Sequence, residues 1–187
     1  MRMIMPITYI LWITSEILLA ILKRSPNSGD SDKDKSSLRL LWSTIIISIV
    51  FGVFFGMRHT GHIFSVARIM AFTGLCLIWV GLIIRWIAIL TLRRYFTVNV
   101  AIAGDHKIID SGLYGYIRHP AYLGSLISFL GLGMTFANWL SILVIFIPIT
   151  AAFLYRINIE EAALQAAFRE KYSDYSTRTS RLLPGIY

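Results

Sequence analysis

Residues 105–124 read DHKIIDSGLYGYIRHPAYLG, and this polar stretch between hydrophobic blocks decides how the rest of the chain is read. Within twenty residues it holds two His, one Arg, three Tyr, one Pro and three Gly, among them Arg118-His119-Pro120. A simple membrane connector is expected to carry Ser, Asn, Gly and Lys, without aromatics gathered round an Arg-His pair. The plain alternative is an interfacial belt, where Tyr, Arg and His sit at headgroup level because they are amphipathic.

Outward from this stretch the chain is greasy. Its 187 residues are 56% hydrophobic and 15% charged, too apolar for a soluble domain of that size. Apolar runs of about 18 residues or more read as membrane spans. Five are expected, at 3–22, 40–57, 68–92, 121–137 and 139–157. The first is too long for a signal-peptide core and lacks a small-x-small cleavage site, so it is read as a retained helix. Residues 23–39, KRSPNSGDSDKDKSSLR, are expected to form a solvated connector without chemistry. Gly52-x-x-x-Gly56 either permits close helix approach or is a chance pair. His59 and His62, with no carboxylate or thiol nearby, make a poor metal site and read as an interfacial loop. No metal is expected. Cys76, the single cysteine, is read as small core filler.

Arg85 lies eight residues before Arg93, roughly 12 Å inside the helix end. Three roles stay open for it: snorkelling, pairing with Glu16 at a similar depth, or lining a site. The last two spans meet at Phe136-Ala-Asn-Trp139, a joint short enough to force an antiparallel hairpin, and Pro148 is expected to kink the second. From Arg156 the pattern becomes that of an amphipathic helix, with Ile159, Ala163, Ala167 and Leu164, Phe168, Tyr172 at helical spacing. That helix is expected to end before Ser173, with an irregular tail to Tyr187. The fold class expected is therefore an all-α integral membrane protein with about five transmembrane helices and a C-terminal amphipathic cytoplasmic helix.

Charge fixes an orientation. The net charge of +8 reads better as basic loops facing the cytoplasm than as a nucleic-acid footprint. With the N-terminus outside, the inner segments 23–39, 93–118 and 156 onward hold five, four and five Lys/Arg, against Arg2, Arg58 and Arg68 outside.

The run His106-x-Ile108-Ile109-x-x-Gly112-x-Tyr114-x-x-x-Arg118-His119-Pro120-x-Tyr122-x-Gly124 resembles the cofactor motif of the isoprenylcysteine carboxyl methyltransferase family. A second block, Arg156-x-x-x-Glu160-Glu161-x-x-Leu164-x-x-x-Phe168-x-x-x-Tyr172-x-x-Tyr175 and then Arg181-Leu182-x-Pro184, is similar to that family's C-terminal helix. The resemblance covers roughly residues 93–184. It implies an integral membrane enzyme that uses S-adenosylmethionine, related to phospholipid N-methyltransferases. Residues 1–92 would then be three N-terminal spans. Residues 93–187 would be the catalytic region: cofactor loop 105–124, hairpin 121–157, then helix and tail 156–187, all within one domain. By position, the resemblance assigns His106, Lys107, Ile108, Ile109, Tyr114, His119, Pro120, Ala121, Tyr122 and Glu160 to the cofactor, and Arg156 to the methyl acceptor. Arg156, Glu160 and Arg118 are the charged groups expected to act in catalysis. The chain departs from the family at Ile109, where Val is more usual, and in Leu113-Tyr114-Gly115-Tyr116, which replaces a bulkier, more basic loop.

The residues themselves suit that cofactor. No strand–turn–helix pattern is present and Gly131-x-Gly133 lies inside a span, so a Rossmann site is excluded. The faces of Tyr114 and Tyr122 can attract a sulfonium by cation–π contact, worth about 0.5–2 kcal/mol. Glu160 suits the ammonium of the methionine part. A carboxylate acceptor is already ionised at pH 7 and needs no general base. An amine acceptor would need one, His119 or Glu161, which keeps lipid N-methylation as the alternative. The partners expected are a lipophilic methyl acceptor from the bilayer, a prenylcysteine-type carboxylate or another small amphiphile, and membrane lipids. A sterol-type reductase shares His-Pro-x-Tyr-x-Gly and would use NADPH. The Glu160-Glu161 pair below Arg156 and the small size argue against it. A non-catalytic membrane protein would bind neither cofactor.

Overall fold

The computed structural model describes residues 3–22, 32–96 and 107–185. Among the described residues there is no strand, and six α-helices carry the fold: α1 Ile4–Leu22, α2 Asp32–Gly56, α3 Ala67–Leu92, α4 Pro120–Thr135, α5 Trp139–Phe168 and α6 Glu170–Arg178. Short 3₁₀ turns lie at Phe64–Val66, Arg93–Tyr95 and Gly112–Gly115. Among the described residues, four helical stretches are long and apolar enough to cross a membrane: Ile4–Leu22, Asp34–Gly56, Phe64–Leu92 and Trp139–Phe168. The expected fifth span is α4, whose 16 residues rise only about 24 Å against a hydrocarbon core of about 30 Å. Enclosed by its neighbours, it still carries the chain back across the bundle, since Asn138 just past its end meets the Phe55 and Thr60 carbonyls at and beyond the far end of α2. The chain is an all-helical membrane protein.

The helices lie side by side in the order α3, α4, α5, α2, with α1 against α3. Glycines set the α3–α4 contact. A Cβ on Gly124 would stand 2.5 Å from the Gly81 carbonyl oxygen, and one on Gly131 2.5 Å from that of Gly74. Residue 74 faces 131 and 81 faces 124, so the two helices run antiparallel and touch backbone to backbone at both levels. In a bilayer, where apolar burial gives helices little drive to associate, such close van der Waals contact is the main source of adhesion. Hydroxyls supplement it: Ser128 shares its proton between the Gly124 carbonyl of its own helix at 3.1 Å and the Ile78 carbonyl of α3 at 3.3 Å, and Tyr9 donates to Thr135 Oγ1 at 2.7 Å. The glycines Gly52 and Gly56 do something different. They admit side chains, Ile145 Cγ1 and Phe136 Cδ1 standing 2.5 Å from where their Cβ atoms would be. Between α2, α3, α4 and α5 the core closes round Ile78, Phe129, Ile145, Ile149, Phe153 and Ile157.

Three boundaries differ from the sequence expectation. α2 starts at Asp32, so the second half of the presumed connector 23–39 is helix. α5 runs unbroken from Trp139 to Phe168 through Pro148, joining the last span to the amphipathic segment in one 30-residue helix. It stops at Arg169, whose φ of 47° breaks the helical path, and the chain resumes as α6 to Arg178 instead of an irregular tail. The α4–α5 joint is as short as expected. Asn138 caps α5 by accepting from the Leu140 and Ser141 amides, and its Nδ2 donates to the Phe55 and Thr60 carbonyls, both at 2.9 Å.

Candidate active site

The segment Lys107–His119 is held in shape from the C-terminal side of the chain. The Arg118 and His119 amides donate to the Ser180 and Arg181 carbonyls at 2.8 and 3.1 Å, and the Ser180 amide returns to the Tyr116 carbonyl at 3.0 Å. The result is a short backbone strap, anchored where Leu182 enters the core. Tyr175 of α6 donates its hydroxyl to the Tyr114 carbonyl at 2.8 Å. Burial pushes that phenol up to about 12, so it remains a donor throughout the physiological range. Burial also raises the Tyr114 phenol, which stays neutral. Pro120 then opens α4 at a position where its missing N–H costs nothing and its fixed φ suits the helix.

The adjacent glutamates of α5 divide. Glu161 faces the strap: one oxygen takes Arg118 Nε at 2.7 Å and lies 3.3 Å from His119 Nε2, the other takes Arg181 Nε at 2.8 Å. Arg118 also donates to the Ser176 carbonyl at 2.9 Å and to the Thr179 carbonyl. Glu160 faces the opposite way, accepting the Tyr122 hydroxyl at 2.9 Å. The His119 and Tyr122 rings stack nearly parallel with centroids 5.6 Å apart. Arg156, one helical turn before Glu160, is 1% exposed. Its Nη1 lies 3.1 Å from Asp34 Oδ1 and 2.8 Å from Ser37 Oγ, both on α2.

These groups surround one cavity of about 630 Å³. Its polar end is lined by Lys107, Tyr114, His119, Tyr122, Arg156 and Glu160, and its apolar end runs down α2 from Leu38 to Val53, roughly 22 Å at 1.5 Å per residue. Trp12, Ile13 and Ile17 of α1 form the wall opposite α2. Leu164, Phe168 and Tyr172, the stripe read from helical spacing, also face it.

The sequence profile of the Isoprenylcysteine carboxyl methyltransferase (ICMT) family matches residues 72–166, which include most of α3, all of α4 and most of α5. The chain belongs to the ICMT family. A protein-S-isoprenylcysteine O-methyltransferase of Schizosaccharomyces pombe is 34% identical over 126 residues, 66% of this chain and 52% of that protein. A probable protein-S-isoprenylcysteine O-methyltransferase of Oryza sativa subsp. indica is 32% identical over 119 residues, 63% of this chain and 62% of that one. The chain thus spans between half and about three fifths of the length of these relatives. Among solved structures, that of the eukaryotic intramembrane Ras methyltransferase ICMT superposes with a TM-score of 0.58 at 25% identity, over 84% of this chain and 54% of that one.

Of the ICMT-motif positions, Lys107, Ile108, Ile109, Tyr114, Arg118, His119, Ala121, Tyr122, Arg156 and Glu160 all line the cavity. His106 lies outside the described residues. Pro120 is fully buried and shapes the turn from behind. The Arg118 guanidinium is engaged by Glu161 and backbone carbonyls, which fits it for holding the strap. Arg85 takes two of its three open roles. It lines the cavity and pairs with both oxygens of Glu16 at 2.6 and 2.7 Å, while Nη1 donates to the Ala121 carbonyl at 3.2 Å. Sequence reasoning missed Asp34 and Ser37, which sit in a run read as a solvated connector yet are 3% and 0% exposed. Their i, i+3 spacing on one helix face was the available signal.

Proposed function

We propose that this ICMT-family chain transfers a methyl group from S-adenosylmethionine to the carboxylate of a membrane-embedded amphiphile of the prenylcysteine type, at the cytoplasmic face. The observation that carries the reading is the two-ended cavity. One end gathers Glu160, Tyr122, His119 and Tyr114; the other is an apolar trough roughly 22 Å long, suited to an acceptor's hydrocarbon tail. When bound, S-adenosylmethionine would supply an electrophilic methyl group on a sulfonium, and an ionised carboxylate acceptor would need no proton removed.

The chain's own residues bind and orient. Glu160, partly exposed to the cavity, suits the donor's ammonium, and the aromatic faces of Tyr114 and Tyr122 suit its sulfonium. Arg156 is the cation for the acceptor's carboxylate. Holding oxygen, methyl and sulfur in line is the principal catalytic device, since positioning alone can supply several kcal/mol. The family alternative, an amine acceptor, needs a base. Of the two candidates, Glu161 has its oxygens turned to Arg118, His119 and Arg181, and His119 has its Nε2 3.3 Å from that same carboxylate, which favours the carboxylate acceptor. The excess of Lys and Arg on segments 23–39, 93–118 and 156 onward supports the cytoplasmic placement.

Calorimetric titration with S-adenosylmethionine and radiolabelled transfer to an N-acetylated S-prenylcysteine test the reading. Glu160→Ala is expected to raise the cofactor Kd at least about tenfold, the loss of one charge-assisted contact of about 1.5–3 kcal/mol. Arg156→Ala is expected to leave that Kd nearly unchanged and to depress turnover and acceptor affinity. Equal small losses in both variants and every assay would make the pair structural and misplace the site.

A further inference from the structure

We propose that Asp34 and Ser37, at the cytoplasmic end of α2, are positioning residues that set Arg156 for the acceptor's carboxylate. The inference rests on the acceptor role of Arg156 given above. It concerns a helix outside the family-matching segment 72–166.

Arg156 is a cation 1% exposed inside an apolar bundle, and such a charge persists only with a partner. Asp34 supplies it from a residue 122 positions away, with Oδ1 at 3.1 Å from Nη1. Ser37 fixes the angle. Its hydroxyl has one proton, given to the Asp34 carbonyl at 2.9 Å, so a lone pair of Oγ faces Nη1 at 2.8 Å. Both contacts converge on the same nitrogen. They orient the guanidinium plane while Tyr122 and Glu160 bear on Arg156 from the cofactor side. A carboxylate in the first turn of a helix can also serve that helix's dipole. A dipole partner, however, has no need of burial against α5, and Asp34 is 3% exposed. The next residue on the α2 face, Leu38, already lines the cavity. The α2 terminus is therefore the rim of the acceptor site, and it holds Arg156 in register.

The test uses the full chain in detergent or nanodiscs, with an N-acetylated S-prenylcysteine as acceptor. Asp34→Asn is expected to raise the acceptor KM about tenfold, the scale of one lost charge-assisted contact, with the S-adenosylmethionine Kd within about twofold of wild type. Ser37→Ala is expected to raise KM about threefold, and Ser37→Thr, which keeps the hydroxyl, to restore it. In an Arg156→Ala background, Asp34→Asn should add no further loss, because the two act as one unit. A merely structural Asp34 would lower stability and both affinities together, and its effect would multiply with that of Arg156→Ala; either result overturns the assignment. Should Asp34→Asn fail to fold, Ser37→Ala with wild-type KM overturns it equally. Wild-type transfer with additive variants removes only the α2 assignment. A wild-type chain that neither binds the cofactor nor transfers methyl groups removes the functional reading and this inference with it.

Discussion

Replacing Gly124 by Ala tests whether the α3–α4 contact positions the site. A Cβ at 124 would lie 2.5 Å from the Gly81 carbonyl oxygen, 2.7 Å from the Arg85 amide nitrogen and 2.9 Å from the Arg85 Cβ. Two of these three are backbone atoms that no rotamer change can move. Comfortable non-bonded separations begin near 3.5 Å, so the helices must part locally by about 1 Å. Two neighbouring hydrogen bonds have no slack to follow. Ser128 Oγ to the Ile78 carbonyl is 3.3 Å and Arg85 Nη1 to the Ala121 carbonyl is 3.2 Å, both near the limit of a real bond. Overpacking costs about 1–3 kcal/mol and each lost bond about 0.5–1.5 kcal/mol. Together they are worth about 2–6 kcal/mol, or roughly 4–24 °C at the ~2–4 °C per kcal/mol typical of chains this long. The Arg85–Ala121 link also predicts a functional loss, because Ala121 and Tyr122 move with α4. Gly52→Ala is the comparison: its Cβ meets only the Ile145 side chain at close range, the nearest backbone atom of another helix being the Ser141 carbonyl oxygen at 3.9 Å. Thermal melts in detergent and calorimetric cofactor titration read both effects. A Gly124→Ala chain as stable as Gly52→Ala, with unchanged cofactor affinity, would refute the reasoning.

Two further outcomes are expected. In a Cys76→Ser background, a cysteine at exposed Lys35 should resist impermeant thiol reagents applied from outside and one at exposed Thr60 should react; the reverse labelling would invert the topology. Glu16→Gln should destabilise by an amount at the lower end of the about 3–5 kcal/mol found on breaking buried pairs, since Arg85 keeps only 11% side-chain exposure. Glu16→Gln/Arg85→Gln should recover part of that in the same melt, and a double variant less stable than the single one would show the pair is not the source.

The polar stretch that lines the cavity was legible because its chemistry is local: polar and aromatic groups crowd where hydropathy predicts only a connector. The helices were legible as apolar runs, but their ends were not. Hydropathy changes at Arg156 because the chain leaves the apolar layer, whereas the backbone hydrogen bonds that define α5 continue to Phe168. The break at Arg169 has no Gly or Pro to announce it. The Ser, Asp and Lys run before residue 40 reads as coil by composition. What makes its second half a helix is a tertiary partner, Arg156, lying beyond any local window. The α3–α4 glycines are visible singly, but their pairing, 74 with 131 and 81 with 124, belongs to the fold.

The charges of the cavity lead to a last expectation. Arg85, Arg118 and Arg156 line the cavity and each meets a carboxylate, Glu16, Glu161 and Asp34 in turn, so these cations are balanced before any ligand arrives. In a low-dielectric cavity, uncompensated charge is costly, and ligands that enter as a neutral set are favoured. The proposed donor, S-adenosylmethionine, carries one net positive charge and the proposed carboxylate acceptor one negative charge, so together they leave the balance intact. After transfer, the thioether product and the methyl ester are each neutral overall. The acceptor should therefore bind more tightly beside the sulfonium donor than beside the thioether product. Coupling between neighbouring sites typically amounts to about 1–3 kcal/mol, roughly 5–150-fold. A non-reactive carboxamide analogue of the acceptor, lacking the charge, should show no such preference. Equilibrium binding of a fluorescent prenyl-carboxylate in the presence of the thioether product or a non-transferable sulfonium analogue measures the difference directly. Equal affinities in the two cases would mean that charge balance does not organise this cavity and that shape alone admits the acceptor.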